Sequence, residues 1–501
     1  MSMWQPEDKL QQQVLEIGAR LQEGPSEFLI NTVFARELRQ QLHLFEALGL
    51  ADMAQTLVAL ELRTIPETEG RALLAALLAL QHHPDSFMAR PERGDLYTNR
   101  EAWLATRTGA IAWLGAGRAR REAITTAYVI AMRRALLDFK LALAAFGKAL
   151  AELAGAHRAS LIPDYTYLQA AQPSSFGHYL LSFAYPLRRD LERLDLLFAE
   201  LNHSPMGCGS ANGSRIPQGR AEMAHLLGFA GVIEHARDAM WQADLSIHCA
   251  ALLNSTGITL SRLAEDLQIF STQEFGLIEL HDRHARASKI MPQKKNPFAL
   301  THVRAFANQM IGLIATVTAT SRTPTGQPDN RLLIYGELPA ALRQAAEVAA
   351  LMQEVLEQLT LNAGRGRELV ENGWVLASDL AEMLVLDCGL SFRTAHQLVG
   401  FLAGKLRNVR SLSPEMIVAV CEQRFGLRIE LSQDQLDAAL DPDLALQDRS
   451  EAGGAASGCV AEMSYDCALH FAEHYRQALE VRAFLDAKAK DLLALADTLA
   501  A

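Results

Sequence analysis

HDRHARASKIMPQKKNPFAL, residues 281–300, is the most informative stretch of this chain. It follows a run of helical periodicity, Leu260 to Phe270, and breaks that pattern with Pro292 and Pro297 and a cluster of basic and polar side chains. A polar, proline-interrupted segment next to a helix has the character of a lid. Within it Ser288, Lys294 and Asn296 place a hydroxyl, an ammonium and an amide close in sequence. Such groups suit removal of a proton from carbon and stabilisation of a carboxylate on which charge then builds. An ordinary polar loop has the same composition, so the stretch is read together with its surroundings.

Outward from this loop, proline marks the architecture. None occurs between Pro91 and Pro163, between Pro217 and Pro292, or between Pro339 and Pro414. Each gap holds a long segment rich in Ala, Leu, Glu, Arg and Met, which favour helix. Apolar residues recur at three- and four-residue steps, as in Leu136, Phe139 and Leu143, and strand-like alternation is scarce. Long helices that cannot bury themselves alone predict an all-α bundle completed by partner subunits. The expected division is an N-terminal helical domain over 1–117, a central long-helix domain over 118–364 and a smaller C-terminal domain over 365–501. A looser stretch is expected from Asp441 to Gly458.

Composition agrees with an ordinary globular protein. The 501 residues exceed one simple core, and half of them are apolar. The formal net charge of -11 argues against nucleic-acid binding. No apolar run approaches the roughly 20 residues that span a bilayer, and MSMWQPEDKLQQQ lacks the features of a secretion signal. A cytoplasmic protein is expected. The six cysteines include no C-x-x-C pair and read as free thiols. His281 and His284 stand three apart near the loop, with no third metal ligand evident.

The run IMPQKKNP resembles the signature loop of the fumarase/aspartase superfamily, G-S-S-x-M-P-x-K-x-N. LSRLAEDLQIFSTQEFGLIEL (Leu260–Leu280) resembles argininosuccinate lyase in particular. So do GARLQEGPSEFL from Gly18, SPMGCGSANGSRIP from Ser204, SFRTAHQLVG from Ser391 and LDPDLALQDRSEAGG from Leu440. The likeness spans nearly the whole chain in order. It implies a three-domain fold with a central helical bundle, and a homotetramer in which each active site draws residues from three chains. It also implies a β-elimination without metal or organic cofactor, acting on a small carboxylate substrate. A base takes a proton beside a carboxylate, and an acid protonates the departing atom. By this resemblance Ser288 is the base, and Lys294 and Asn296 bind the carboxylate.

Other blocks depart from the family. Where it has T-G-R-S-R-N-D, this chain has AGRARRE, Ala116–Glu122. Arg118 and Arg120 are kept, while Ala119, Arg121 and Glu122 replace serine, asparagine and aspartate. Arg121 can bind a carboxylate, but as a planar charged fork; a solvated helix face is the plain alternative. T-H-L-Q-x-A-Q-P becomes TYLQAAQP. Thr166, Gln169 and Gln172 match, but Tyr167 stands for the histidine that assists acid–base catalysis. A phenol, with an ordinary pKa of about 10, is a poorer proton shuttle at neutral pH. In GDLYTNRE, Gly94–Glu101, Asp95 and Glu101 are kept and Tyr97 replaces histidine. In the loop, Ala287 and Lys289 replace glycine and serine; Lys289 either favours a Ser288 alkoxide or is simply solvated. DNRLLIYGE, Asp329–Glu337, stands where argininosuccinate lyases hold the guanidino-amino-acid end with tyrosine, glutamine and lysine. Here those positions read Asp329, Ile334 and Glu337.

The expected catalytic residues are thus Ser288, Tyr167 and Lys294, with substrate bound by Arg120, Arg121, Thr166, Gln169, Asn296 and Asp95. Three functions remain open on the sequence: a carbon–nitrogen lyase for a substrate other than argininosuccinate, a superfamily enzyme with a changed reaction, and a non-catalytic protein on the lyase scaffold.

Overall fold

A computed structural model describes residues 15, 17, 20–323 and 334–501. Gly18 and Ala19 of the N-terminal match, and Asp329, Asn330, Arg331 and Leu333 of the 329–337 stretch, lie outside the described residues.

The principal helices are α1 (Phe45–Glu61), α2 (Glu67–His82), α3 (Leu96–Ala105), α4 (Arg120–Ala156), α5 (Phe176–Leu201), α6 (Asp244–Phe270), α7 (Phe298–Thr320), α8 (Ile334–Gln358) and α9 (Ser457–Ala500). Strands among the described residues form two-stranded ribbons only. The protein is therefore all-α with a central bundle, as its proline spacing and helical periodicity predict. No helix among the described residues is long and apolar enough to cross a membrane.

α4 organises the bundle. Its 37 residues make a rod of roughly 55 Å at 1.5 Å per residue. Leu136, Phe139, Leu143, Phe146 and Leu150 form a fully buried stripe along it, at the spacing that keeps one face inward. α1, α5, α8 and α9 pack around it, and α6 and α7 pair beside them. Gly147 lets α9 approach: a Cβ there would lie 2.3 Å from the ring of Phe471. One apolar core runs from α1 to α8 and takes in Val460, Cys467 and Phe471 of α9. A separate cluster, including Leu384, Leu398, Leu402 and Ile417, holds the smaller helices that precede α9.

Two features were not anticipated from the sequence. Pro186 lies inside α5 and does not end it. Strong amphipathic burial on both sides of it outweighs the one lost hydrogen bond. Within the stretch expected to be loose, Pro442–Gln447 is helical, capped by Asp441 Oδ1, which accepts N–H bonds from Asp443 (2.8 Å) and Leu444 (3.1 Å).

A hairpin, unexpected from the sequence, follows α4. Strands β1 (Leu161–Thr166) and β2 (Gln169–Ser175) pair antiparallel, with Pro163 opposite Pro173. Two prolines across from each other hide a strand signal, yet a free-standing ribbon consists of edges, where proline is tolerated. The turn is Tyr167–Leu168, with φ of +55° and +56°. Two-residue turns of this kind favour Asn-Gly; a tyrosine and a leucine held there cost about 1–2 kcal/mol each.

Chain direction sets the ends of the bundle. The ring of Tyr165 in β1 lies 5.9 Å from that of Phe270, the last residue of α6. The hydroxyls of Thr125 near the start of α4 and Tyr335 near the start of α8 are 3.2 Å apart. One end therefore carries the hairpin and the exit of α6. The other carries the N-termini of α4 and α8.

Candidate active site

The expected site residues fall into three groups. The first surrounds the N-terminus of α4, where two adjacent cations oppose the helix dipole and each is met by an acid. Arg120 pairs with Asp95 (3.2 Å), and Arg121 with Glu37 (2.8 Å). Asp95 also caps α3, its Oδ1 accepting from the backbone N–H (2.9 Å) and hydroxyl (2.8 Å) of Thr98. Arg120 remains half exposed.

Beneath this surface lies a buried charge cluster. Asp52 of α1 accepts from Arg118 (2.7 Å) through one oxygen and from Arg100 (3.2 Å) through the other, and all three side chains are at most 2% exposed. The Arg118 guanidinium sits 5.6 Å from the Tyr97 ring. Burial, together with the charges of Asp52 and Asp95, pushes the Glu101 carboxyl up to about 7. The unfolded chain releases that proton near 4.5, so between these values the native state binds more protons than the unfolded one. Its contribution to stability falls as pH rises through that window and is unfavourable above it. Glu101→Gln is expected to flatten the decline in urea-unfolding midpoint between about pH 4.5 and 7; an unchanged slope would remove Glu101 as its source.

Glu122 stands one residue beyond Arg121 and is fully buried. Its carboxylate accepts the N–H groups of Gly207 (2.6 Å), Gly209 (2.8 Å) and Ser210 (3.4 Å). It thereby fastens the glycine-rich 204–213 segment beneath the arginines. Cys208 lies against it, and burial and that carboxylate push its thiol up to about 12, which disfavours the thiolate. The sequence marked Glu122 as a substitution but carried no sign of this anchoring, because the amides that meet it are 85 or more residues away.

The second group is the hairpin tip, at the opposite end of α4. Thr166 and Gln169 flank the turn and are exposed. Tyr167 is 98% exposed.

The third is the loop that follows α6. β3 (Arg286–Ala287) pairs antiparallel with β4 (Lys295–Asn296), and the turn between them presents Ser288. Its Oγ accepts the backbone N–H groups of Met291 (3.0 Å) and Ile290 (3.3 Å). Two donors aimed at one hydroxyl oxygen favour its ionised form. Asn296 Nδ2 donates to the Arg286 carbonyl (2.9 Å), which ties the ribbon together. Lys294 is exposed and among the described residues makes no ion pair. Lys295 is held by Glu279 (3.0 Å) and Asp282 (2.8 Å). His284 is buried and 3.6 Å from Glu354, while His281 is exposed.

Ser288, Lys294 and Asn296 thus share one loop, Thr166, Tyr167 and Gln169 one turn, and Asp95, Arg120 and Arg121 one helix end. Arg120 and Tyr167 stand at opposite ends of α4, so one chain does not bring them together. A cavity of about 790 Å³, lined in part by Leu57, Ile65, Leu226 and Leu499, contains none of these residues.

A profile of the lyase family matches residues 35–312. The chain belongs to this lyase family. Within the fumarase/aspartase superfamily it lies in the argininosuccinate-lyase-like branch and is a carbon–nitrogen lyase. It is 32% identical over 421 residues to the argininosuccinate lyase of Methanoculleus marisnigri, covering 82% of this chain and 84% of that one. To the argininosuccinate lyase of Methanothrix thermoacetophila it is 31% identical over 450 residues, covering 89% and 91%. An EDDS lyase variant with bound fumarate superposes with a TM-score of 0.84 over 95% of this chain and 96% of that one, at 23% identity. The residues matched by the family profile, 35–312, contain all three groups of residues.

Proposed function

We propose that this lyase eliminates an amine from the 2-carbon of a succinate unit, an N-succinyl-amine type of substrate, releasing fumarate or a related unsaturated acid, and that argininosuccinate is not its substrate. The observation that carries this reading is the Ser288 hydroxyl held by two backbone N–H donors. As the alkoxide, Ser288 takes the proton from the carbon beside a carboxylate. The electron pair moves into that carboxylate, where Lys294 and Asn296 stabilise the added charge. It then forms the carbon–carbon double bond as the C–N bond breaks, and the amine leaves with a proton from Tyr167. Arg120, Arg121, Thr166 and Gln169 bind the remaining carboxylate, and Asp95 holds Arg120. The sequence balances without an oxidant or cofactor. Ile334, Glu337, Tyr167 and Arg121 speak against argininosuccinate, because they replace the groups that the family uses for it.

In this reading the site forms between chains. A helix of roughly 55 Å separates Arg120 from Tyr167, and the exposed Tyr167 ring reaches a neighbouring subunit. A homotetramer acting in the cytoplasm, each chain divided at about residues 117 and 364, is proposed with it. Light scattering is expected to give four times the 55.0 kDa chain mass; a monomer at assay concentration would overturn the shared site.

The test of function is a panel of N-(1,2-dicarboxyethyl) amines and amino acids, argininosuccinate included, followed by fumarate absorbance, with fumarate plus amine in reverse. Turnover with other members exceeding that with argininosuccinate is expected. Silence in both directions, or a product free of fumarate, would sink the proposal.

A further inference from the structure

Arg286 took no part in the sequence-based site, but the register of the loop places it there. β3 and β4 pair Arg286 with Asn296 and Ala287 with Lys295. The Ser288 N–H, donating to the Lys294 carbonyl at 3.4 Å, continues the ribbon one step further. Side chains alternate across such a ribbon. Arg286, Ser288, Lys294 and Asn296 therefore share one face, and Ala287 and Lys295 the other.

The cations on the two faces are treated differently. Lys295, on the far face, is neutralised by Glu279 and Asp282. Arg286 is exposed and among the described residues makes no ion pair. Its guanidinium lies over the Phe298 ring, 5.1 Å from the centroid, which leaves the donor edge open. Two strand residues put it about 7 Å along the ribbon from Ser288.

We propose that Arg286 binds a carboxylate on the departing amine, so that the substrate is an N-(1,2-dicarboxyethyl) amino acid rather than the corresponding alkylamine; this rests on the elimination reading above. The two carboxylates of the succinate unit already have partners in Lys294, Asn296 and the arginines of α4. An unpaired guanidinium on the catalytic face adds a site for a third. A planar fork matches a carboxylate through two parallel hydrogen bonds, and the ring beneath holds the fork in place.

The test uses the full-length protein in the reverse direction, with fumarate and amines matched in pairs that differ by one carboxylate: glycine against methylamine, and β-alanine against ethylamine. The acid-bearing member of each pair is expected to be preferred. Arg286→Ala is expected to raise KM for glycine roughly 10–100-fold, the range for loss of a charged hydrogen-bonded contact, with kcat and the KM for fumarate held. Arg286→Lys should recover part of the loss. A fall in kcat shared equally by both members of a pair would mean that Arg286 acts on Ser288 instead, and would overturn the assignment. An unchanged preference would do the same while leaving the elimination intact.

Should no amine support turnover, calorimetry with N-(1,2-dicarboxyethyl)glycine decides the matter separately. Equal affinity for the unmodified protein and Arg286→Ala rejects the role of Arg286 whatever the chemistry. A 10-fold or greater loss confined to the variant supports it. Because Arg286 is exposed, an unchanged thermal midpoint is the control for folding.

Discussion

Ser288→Ala is expected to lower kcat by about 10³-fold, within the range of 10²–10⁴ for loss of a positioned base, while leaving the thermal midpoint in place. The two halves of this expectation have separate causes. The Ser288 Oγ accepts N–H bonds from Ile290 and Met291 in a solvent-accessible turn, where water can replace it as acceptor at little cost. Removing the oxygen therefore spares the fold and deletes the group proposed to take the proton. The KM for substrate should change little, since the proposed binding contacts are those of Lys294, Asn296 and the arginines of α4. Steady-state kinetics and differential scanning calorimetry on the same preparation would check both. Activity within a few-fold of the parent would remove Ser288 as the base and the proposed elimination with it.

Asp52→Asn is expected to act in the opposite way, through stability. Asp52 is the shared anion of Arg100 and Arg118, and none of the three side chains is more than 2% exposed. Loss of one partner from a buried ion pair costs about 3–5 kcal/mol, because the remaining charge is left without compensation. Here two guanidiniums lose it at once. Arg118 then keeps the Tyr97 ring and the more distant charges of Glu101 and Glu122, and Arg100 keeps the Phe45 ring at 4.9 Å and the Phe45 carbonyl at 3.4 Å, none of which replaces the shared carboxylate. A fall in unfolding free energy of at least about 3 kcal/mol, measured by urea denaturation, is expected. A loss below about 1 kcal/mol would mean that the cluster is already compensated by other means. The effect should reach the site as well, since Arg118 is two residues from Arg120.

The helical bundle was legible because long proline-free segments and an apolar stripe such as Leu136, Phe139 and Leu143 leave few alternatives. Proline as a boundary failed at Pro339, which lies inside α8, and Pro186 likewise lies inside α5, where packing on both sides carries the helix through. The hairpin was missed for a related reason: Pro163 and Pro173 mask two short strands that need no sheet interior. The Ser288 loop was legible as a pattern of residue types, but its geometry was not. That Arg286 shares a face with Ser288, and Lys295 does not, depends on a register that can be counted only once the pairing is known. The partners of Arg120 and Arg121 were equally hidden. Glu37 reaches Arg121 from 84 residues away, a tertiary contact with no local sign.

The Tyr167–Leu168 turn has a consequence for how activity arises over time. Each chain folds around α4 and completes its own core, yet it holds a solvent-facing ring on a left-handed turn that it does not itself bury. With the proposed inter-subunit site, a freshly folded chain is a finished structure but an unfinished catalyst. Its appearance as an enzyme follows a second-order event, the encounter with other copies, so newly made chains at low abundance would lag in activity behind their folding.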